Sequence, residues 1–190
     1  VQDSTFWVTL GNTLFYAVVQ IPIMILLALV TAVLLNDSRL KGRGIYRTCI
    51  FLPCVTSMVS YAILFKNIFS VDGVVNQLLL KLNFIDEAIP FVLDKNWAKV
   101  VIVFALIWRY TGYYMIFFLS AMQNIDASVY EAAKMDGCNF RQTFFKITMP
   151  LLKPIIFLTG IMALNNTLQL FDEVVNLTNG GPGNATRTIS

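Results

Sequence analysis

No Asp, Glu, Lys or Arg occurs between Asp3 and Asp37, and this run decides the medium in which the chain must fold. From about Asn12 to Leu35 it is long enough, as a helix, to cross a hydrocarbon core of about 30 Å. Composition agrees: 57% of the 190 residues are hydrophobic and 13% charged, where soluble domains carry about a quarter charged. Pro22 lies inside the run and predicts a kink, which membrane helices tolerate.

Three further segments are greasy enough to span. One runs from Ile45 to about Phe65, with Pro53 inside and Arg47 near its start. Another runs from about Ala98 to Met122, interrupted by Arg109. The last runs from about Leu151 to Phe171. The expected fold is an all-α membrane protein with about four transmembrane helices and short helices between them.

The connectors set the orientation. Arg39, Lys41, Arg43 and Arg47 face one acid, Asp37, in the first loop, and Lys134, Arg141, Lys146 and Lys153 crowd the third. Lys66, Lys81, Lys95, Lys99 and Arg187 are spread over longer segments rich in acids. Basic loops stay in the cytoplasm. Residues 67–97 are therefore expected outside, and the stretch around Glu131 inside.

Composition also removes function classes. A net charge of +3, scattered along the chain, is no nucleic-acid footprint. There is no histidine, so the commonest general base and metal ligand is missing. Cys49, Cys54 and Cys138 have no zinc-ligand spacing and read as small buried hydrophobes. Gly180-Gly181-Pro182-Gly183 lacks the Gly-Lys-Ser/Thr ending of a phosphate loop, and no Walker pattern occurs. Asn165-Asn166-Thr167, Asn176-Leu177-Thr178 and Asn184-Ala185-Thr186 are chance sequons. Asp172 and Glu173, adjacent on a helix, point apart and make a poor acid/base pair.

The loop at 123–150 has its own organisation. Ser128 precedes Glu131 by the spacing of a capping box, and Gly137 supplies a helix stop. Ala132 and Ala133 leave a nearly bulk-free face beside Glu131, open to close approach by another protein. Phe140, Phe144 and Ile147 share the next helical face, and Pro150 and Pro154 mark a turn into the fourth span. By itself this is also what an ordinary capped helix looks like.

The run Glu131 to Pro154, EAAKMDGCNFRQTFFKITMPLLKP, closely resembles the EAA loop of permease subunits of ABC importers. Glu131, Ala132, Ala133, Asp136, Gly137, Ile147 and Pro150 match its pattern, while Cys138 and Met149 replace the usual Ala and Leu. Gln169–Glu173, the Leu177–Pro182 stretch, and Arg39–Thr48 with its Lys-Gly-Arg-Gly core and the following Phe51-Leu52-Pro53 resemble the carbohydrate branch, of maltose, multiple-sugar and glycerol-3-phosphate type. The resemblance implies a type I permease core truncated at both ends, in the bacterial cytoplasmic (inner) membrane, and a piece that does not transport alone. It implies that Glu131, Ala132, Ala133, Asp136 and Gly137 dock the ATPase. The implied partners are a second permease subunit, making a heterodimer, an ATP-binding subunit dimer, an external solute-binding protein and the bilayer. No cofactor is implied on this chain; ATP and Mg belong to the ATPase.

Candidate path residues come from polar groups at membrane depth. Arg109, amid Trp108, Tyr110, Tyr113 and Tyr114, either walls a solute path or bonds a neighbouring helix while the aromatics pack. Tyr113 falls where the maltose-type permease contacts substrate. Asn165, Asn166, Thr167 and Gln169 are either interhelical glue or path lining. The family's sugar contacts fall on the 163–166–167–170 face, where Ala163 and Leu170 replace polar residues. The implied function is uptake of a sugar or oligosaccharide. The alternatives are another solute such as glycerol 3-phosphate, a scaffold that does not transport, or an embedded enzyme, for which no nucleophile–base pair is present.

Overall fold

The computed structural model describes residues 4–37, 40–178, 180–181 and 185–189. Arg39 of the first basic loop, and Asn179, Pro182, Gly183 and Asn184 of the Gly-Gly-Pro region, lie outside them. The described residues are helical, with no strand: α1 Ser4–Asn36, α2 Arg43–Val55, α3 Met58–Ile68, α4 Val74–Lys81, α5 Lys95–Gln123, α6 Ala127–Met135, α7 Phe140–Thr143, α8 Met149–Leu168 and α9 Asp172–Thr178.

α5 is the central post, packed against α1, α2, α8 and α9. It starts cleanly because Asp94 caps it, its carboxylate accepting from the Asn96 and Trp97 amides at 2.9 and 3.0 Å. Those bonds hold the Asp94 carboxyl below its ordinary value. α1 turns one stripe inward (Thr13, Tyr16, Gln20, Met24, Ala28, Ala32, Leu35), at helical spacing. Leu14, Val18, Leu26, Val30 and Leu34 point outward, the inside-out arrangement that lipid permits. α1 continues as helix through Pro22.

Among the described residues, three helices are long and apolar enough to cross a membrane: Phe6–Asn36, Lys95–Gln123 and Phe140–Leu168. The span expected over 45–65 is not one helix. It is α2 and α3, meeting at 97°. Each alone is shorter than a bilayer is thick. The break follows Pro53, where Thr56 leaves the helix with extended geometry (φ −66°, ψ 146°) and its hydroxyl folds back onto the Pro53 carbonyl at 2.7 Å.

The fourth span also departs from expectation. Pro150 and Pro154 do not turn the chain. Helix runs from Phe140 to Leu168, with a π-turn over Phe144–Thr148 just before Pro150. Pro150 cannot donate to the carbonyl four residues back. The widened turn absorbs this by sending the Met149 amide to Phe144.

The two ends of the bundle differ. Asn36 at the end of α1 and Asp37 after it share a cleft with Tyr130, Lys134 and Phe140, so the two basic connectors meet at one end. At the other end Asn12 donates to the Arg187 carbonyl at 2.9 Å, and Lys99 lies 5.7 Å over the Phe15 ring. The cysteines are not the buried hydrophobes expected: Cys49 is exposed, and Cys54 and Cys138 are half-buried.

Candidate functional site

Two regions bring the polar residues together. The first is the elbow between α5 and α8. Its helix, α6, begins one residue before the expected Ser128 cap. Asp126 is the cap, and its carboxylate accepts from the Ser128 amide at 2.9 Å. Aspartate serves as well as serine there and adds negative charge at the positive end of the helix. The bond holds Asp126 below the ordinary carboxylate value.

α6 ends at Gly137, whose φ of +73° suits glycine. The Gly137 amide bonds Lys134 and the Cys138 amide bonds Ala133, at 3.1 and 2.9 Å, a Schellman closure. Two residues on, Asn139 and Gln142 exchange side-chain and backbone bonds at 2.9 Å and start α7. A pivot capped on both sides results, with Gly137 at its centre.

Of the five residues singled out here, Glu131, Ala132, Asp136 and Gly137 are exposed, while Ala133 is buried against the protein. The open face thus has one alanine rather than two. Met135, 88% exposed, stands beside it. Sequence reading passed over Met135; an apolar residue at the end of a polar helix was the available signal. Beneath the elbow lies a cleft of about 550 Å³, and Tyr130 reaches the Thr148 hydroxyl at 3.4 Å.

The second region is inside the bundle. Arg109 is 8% exposed. Its Nη1 donates at 3.0 Å to the Thr56 carbonyl at the α2–α3 break, and its guanidinium carbon lies 4.6 Å from the Tyr61 ring. A carbonyl orphaned at membrane depth needs a donor, and Arg109 supplies it. One turn further along α5, Gly112 lets α2 approach so closely that a Cβ there would lie 2.0 Å from the Ile50 carbonyl oxygen.

Tyr110 donates to Glu173 Oε1 at 3.0 Å, tying α5 to α9. Asn166 is exposed on α8 and donates to the Tyr114 hydroxyl of α5 at 3.1 Å. Thr167 is buried and bonds the Ala163 carbonyl of its own helix at 2.8 Å. Gln169 is exposed and bonds Asn165. Tyr113 is half-buried, edge-on to Tyr114 and Phe117.

A small cleft therefore gathers Tyr110, Asn166 and Thr167 of the expected path residues, and leaves out Tyr113, Arg109 and Gln169. It adds Gln20 from α1 and Glu173 from α9. Glu173 is 5% exposed while Asp172 is exposed, so the pair does point apart. An amide in the middle of an uncharged span was the signal for Gln20; nothing local marks Glu173 as buried. Among the described residues no group of three or more His, Cys, Asp or Glu could hold a metal.

Residues 5–190 match the family of binding-protein-dependent transport system inner membrane components. The chain belongs to this family of membrane permeases. It is 54% identical over 190 residues to the lactose transport system permease protein LacF of Rhizobium radiobacter, covering 99% of this chain and 64% of that one. It is 32% identical over 187 residues to the multiple sugar-binding transport system permease protein MsmF of Streptococcus mutans, covering 98% and 63%. The fold matches a bacterial ABC transporter involved in the import of the acidic polysaccharide alginate, with TM-score 0.86 and 25% identity, over 97% of this chain and 64% of that one. The chain thus spans under two thirds of the length of these relatives. Family and fold together make it a multi-pass inner-membrane permease segment of the ABC-importer type.

Proposed function

We propose that the protein carrying this segment imports a sugar or oligosaccharide across the bacterial inner membrane, driven by ATP hydrolysis on a separate subunit. The observation that carries this reading is 54% identity to a lactose permease across essentially the whole segment. A solved relative of the same fold, in complex with a pentasaccharide-bound periplasmic protein, supports delivery by an external binding protein. The segment is one permease domain. A second permease subunit completes the path, and an ATPase dimer seats the elbow.

The elbow has the physical attributes of a force-bearing contact. α6 is exposed along Glu131, Ala132 and Asp136, capped at both ends, and joined through Gly137 to the helix that becomes the fourth span. Closure of the ATPase pair moves α6, and the spans rock between outward- and inward-facing states. Asn166, Thr167, Tyr110, Tyr113 and Gln169 belong to the solute path in this reading. Arg109, bonded to Thr56, fits better as a brace for the broken helix. The segment performs no covalent chemistry itself. A phosphorylated solute or a scaffold role is not favoured by relatives named for sugars.

The test is reconstitution of the full-length permease with its partner subunits in proteoliposomes. Sugar-loaded binding protein should raise ATPase activity and drive uptake, and Glu131→Lys should abolish both responses. Equal ATPase rates with and without loaded binding protein would overturn the reading.

A further inference from the structure

A second groove lies beside the elbow cleft, at the end of the bundle where the basic connectors meet. It encloses about 550 Å³, and its walls include Thr31, Leu34 and Leu35 of α1, Leu40, and Tyr46 and Ile50 of α2. That volume is in the range of small-molecule sites. Leu34 is also the last member of the exposed α1 stripe Leu26, Val30, Leu34, spaced by four residues. The groove is therefore continuous with the surface that α1 turns toward lipid.

Charge is laid along the same groove. Arg43, Tyr46, Arg47 and Ile50 stand at i, i+3, i+4 and i+7, one face of α2. Tyr46 and Ile50 line the groove, so the two arginines run along its wall. The Nε of Arg47 is buried without a hydrogen-bond partner, and a guanidinium N–H so placed needs an acceptor. α2 starts at Gly42 with no side-chain cap and no acid in its first turn, so its positive end is unanswered. Lys41 is exposed just before it. Against these cations stands Asp37, the one acid among the described lining residues. The groove thus runs from cationic at the connector to apolar one or two turns deeper.

We infer that this groove holds an anionic phospholipid of the phosphatidylglycerol type. The lipid has the same order as the groove, phosphate at the surface and chain below. Arg43 and Arg47 donate to the phosphate oxygens, the Tyr46 hydroxyl stands at the boundary, and one acyl chain lies against Leu34, Leu35 and Ile50. Basic loops face the cytoplasmic leaflet, where anionic headgroups gather. A zwitterionic lipid brings an ammonium group that the arginines repel. A soluble anion has no chain to fill the apolar end. Phe140 borders both this groove and the elbow cleft, so the lipid abuts the start of the fourth span. The inference holds whatever solute is carried.

The experiment titrates the full-length importer, with its partner subunits in detergent, with dioleoylphosphatidylglycerol or dioleoylphosphatidylcholine, and counts bound lipids by native mass spectrometry. The first phosphatidylglycerol should bind about tenfold more tightly than the first phosphatidylcholine, as two arginines at a headgroup imply. Arg43→Gln with Arg47→Gln should bring the two lipids within about twofold. Arg43→Lys keeps the charge and should keep most of the preference. Lys81→Gln, a cation far from the groove in α4, should leave it unchanged. If the double variant does not assemble, Lys41→Gln and Arg43→Gln taken singly should each cost about threefold. Equal binding of the two lipids by wild type would overturn the inference. So would displacement of phosphatidylglycerol by millimolar inorganic phosphate, which identifies a soluble-anion site. A preference untouched by every arginine and lysine variant would also overturn it, since the lipid then sits elsewhere or a protein subunit covers the groove.

Discussion

The elbow and the membrane interior solve the same problem, unpaired polar groups, by opposite means. At the elbow, every capping partner lies close in sequence: Asp126 to Ser128, Asn139 to Gln142, Cys138 to Ala133. In the interior, partners lie 53, 63 and 52 residues apart, for Arg109–Thr56, Tyr110–Glu173 and Tyr114–Asn166. Water at the elbow supplies whatever the chain leaves unbonded, so only the helix ends need care. Lipid supplies nothing, so a polar group there must be matched by tertiary structure. Local chemistry shapes the elbow, and long-range pairing shapes the interior.

That contrast can be broken first at two glycines. Gly112→Ala forces a methyl group into the α2 backbone at Ile50 and should cost about 1–3 kcal/mol or more, lowering the thermal midpoint of the purified transporter or preventing its assembly. Gly137→Ala meets no atom within 4 Å and is strained by φ alone, so its cost should be about 1 kcal/mol and confined to α6. If the two variants melt alike, the division between interior and elbow is wrong.

Arg109→Met comes next. It leaves the Thr56 carbonyl at the break without its donor, an expected loss of about 1–3 kcal/mol. Amide hydrogen exchange should rise at the ends of α2 and α3 rather than along α8. Gly137→Ala should show the mirror image, faster exchange at Asp136–Cys138 with α2 and α3 unchanged.

The smallest effect is the pH response of the α6 cap. Asp126 is held below its ordinary value of 3.8 by the Ser128 amide. Its contribution is complete above that value, because the folded form prefers the carboxylate. As pH falls through the depressed folded value, the proton binds and the contribution is lost. Protection of the Ser128 amide against exchange should therefore fade only below about pH 3.8. Asp126→Asn should keep a cap without the pH response. A midpoint near neutrality would exclude this carboxylate as its source.

The same contrast explains what could be read from residues alone. The spans, the meeting of the basic connectors at one end and the stop at Gly137 follow from runs, charges and one glycine, all local signals. The cap was misplaced by two residues because Asp126 and Ser128 are both good caps, and spacing to Glu131 favoured the wrong one. The 45–65 run is apolar enough to pass as one span, and Pro53 alone does not mark a break because membrane helices tolerate proline. Arg109, across the bundle, satisfies the Thr56 carbonyl at the 97° break between α2 and α3. Prolines at 150 and 154 suggested a turn, whereas the π-turn, a backbone adjustment without residue signature, carries the helix through. Glu173 is legible only as one of an adjacent acidic pair, since nothing near it in sequence marks it as buried in the same cleft as Gln20.

The absence of a bend at Pro150 has a mechanical corollary. Phe140–Leu168 is a single helix of 29 residues, a strut about 43 Å long at 1.5 Å per residue. Its near end sits beside the Gly137 swivel and its far end carries Asn166. A sideways shove on α7 then reaches Asn166 through unbroken helix, and the π-turn at Phe144–Thr148 and Pro154 are the points on the way where the strut can flex.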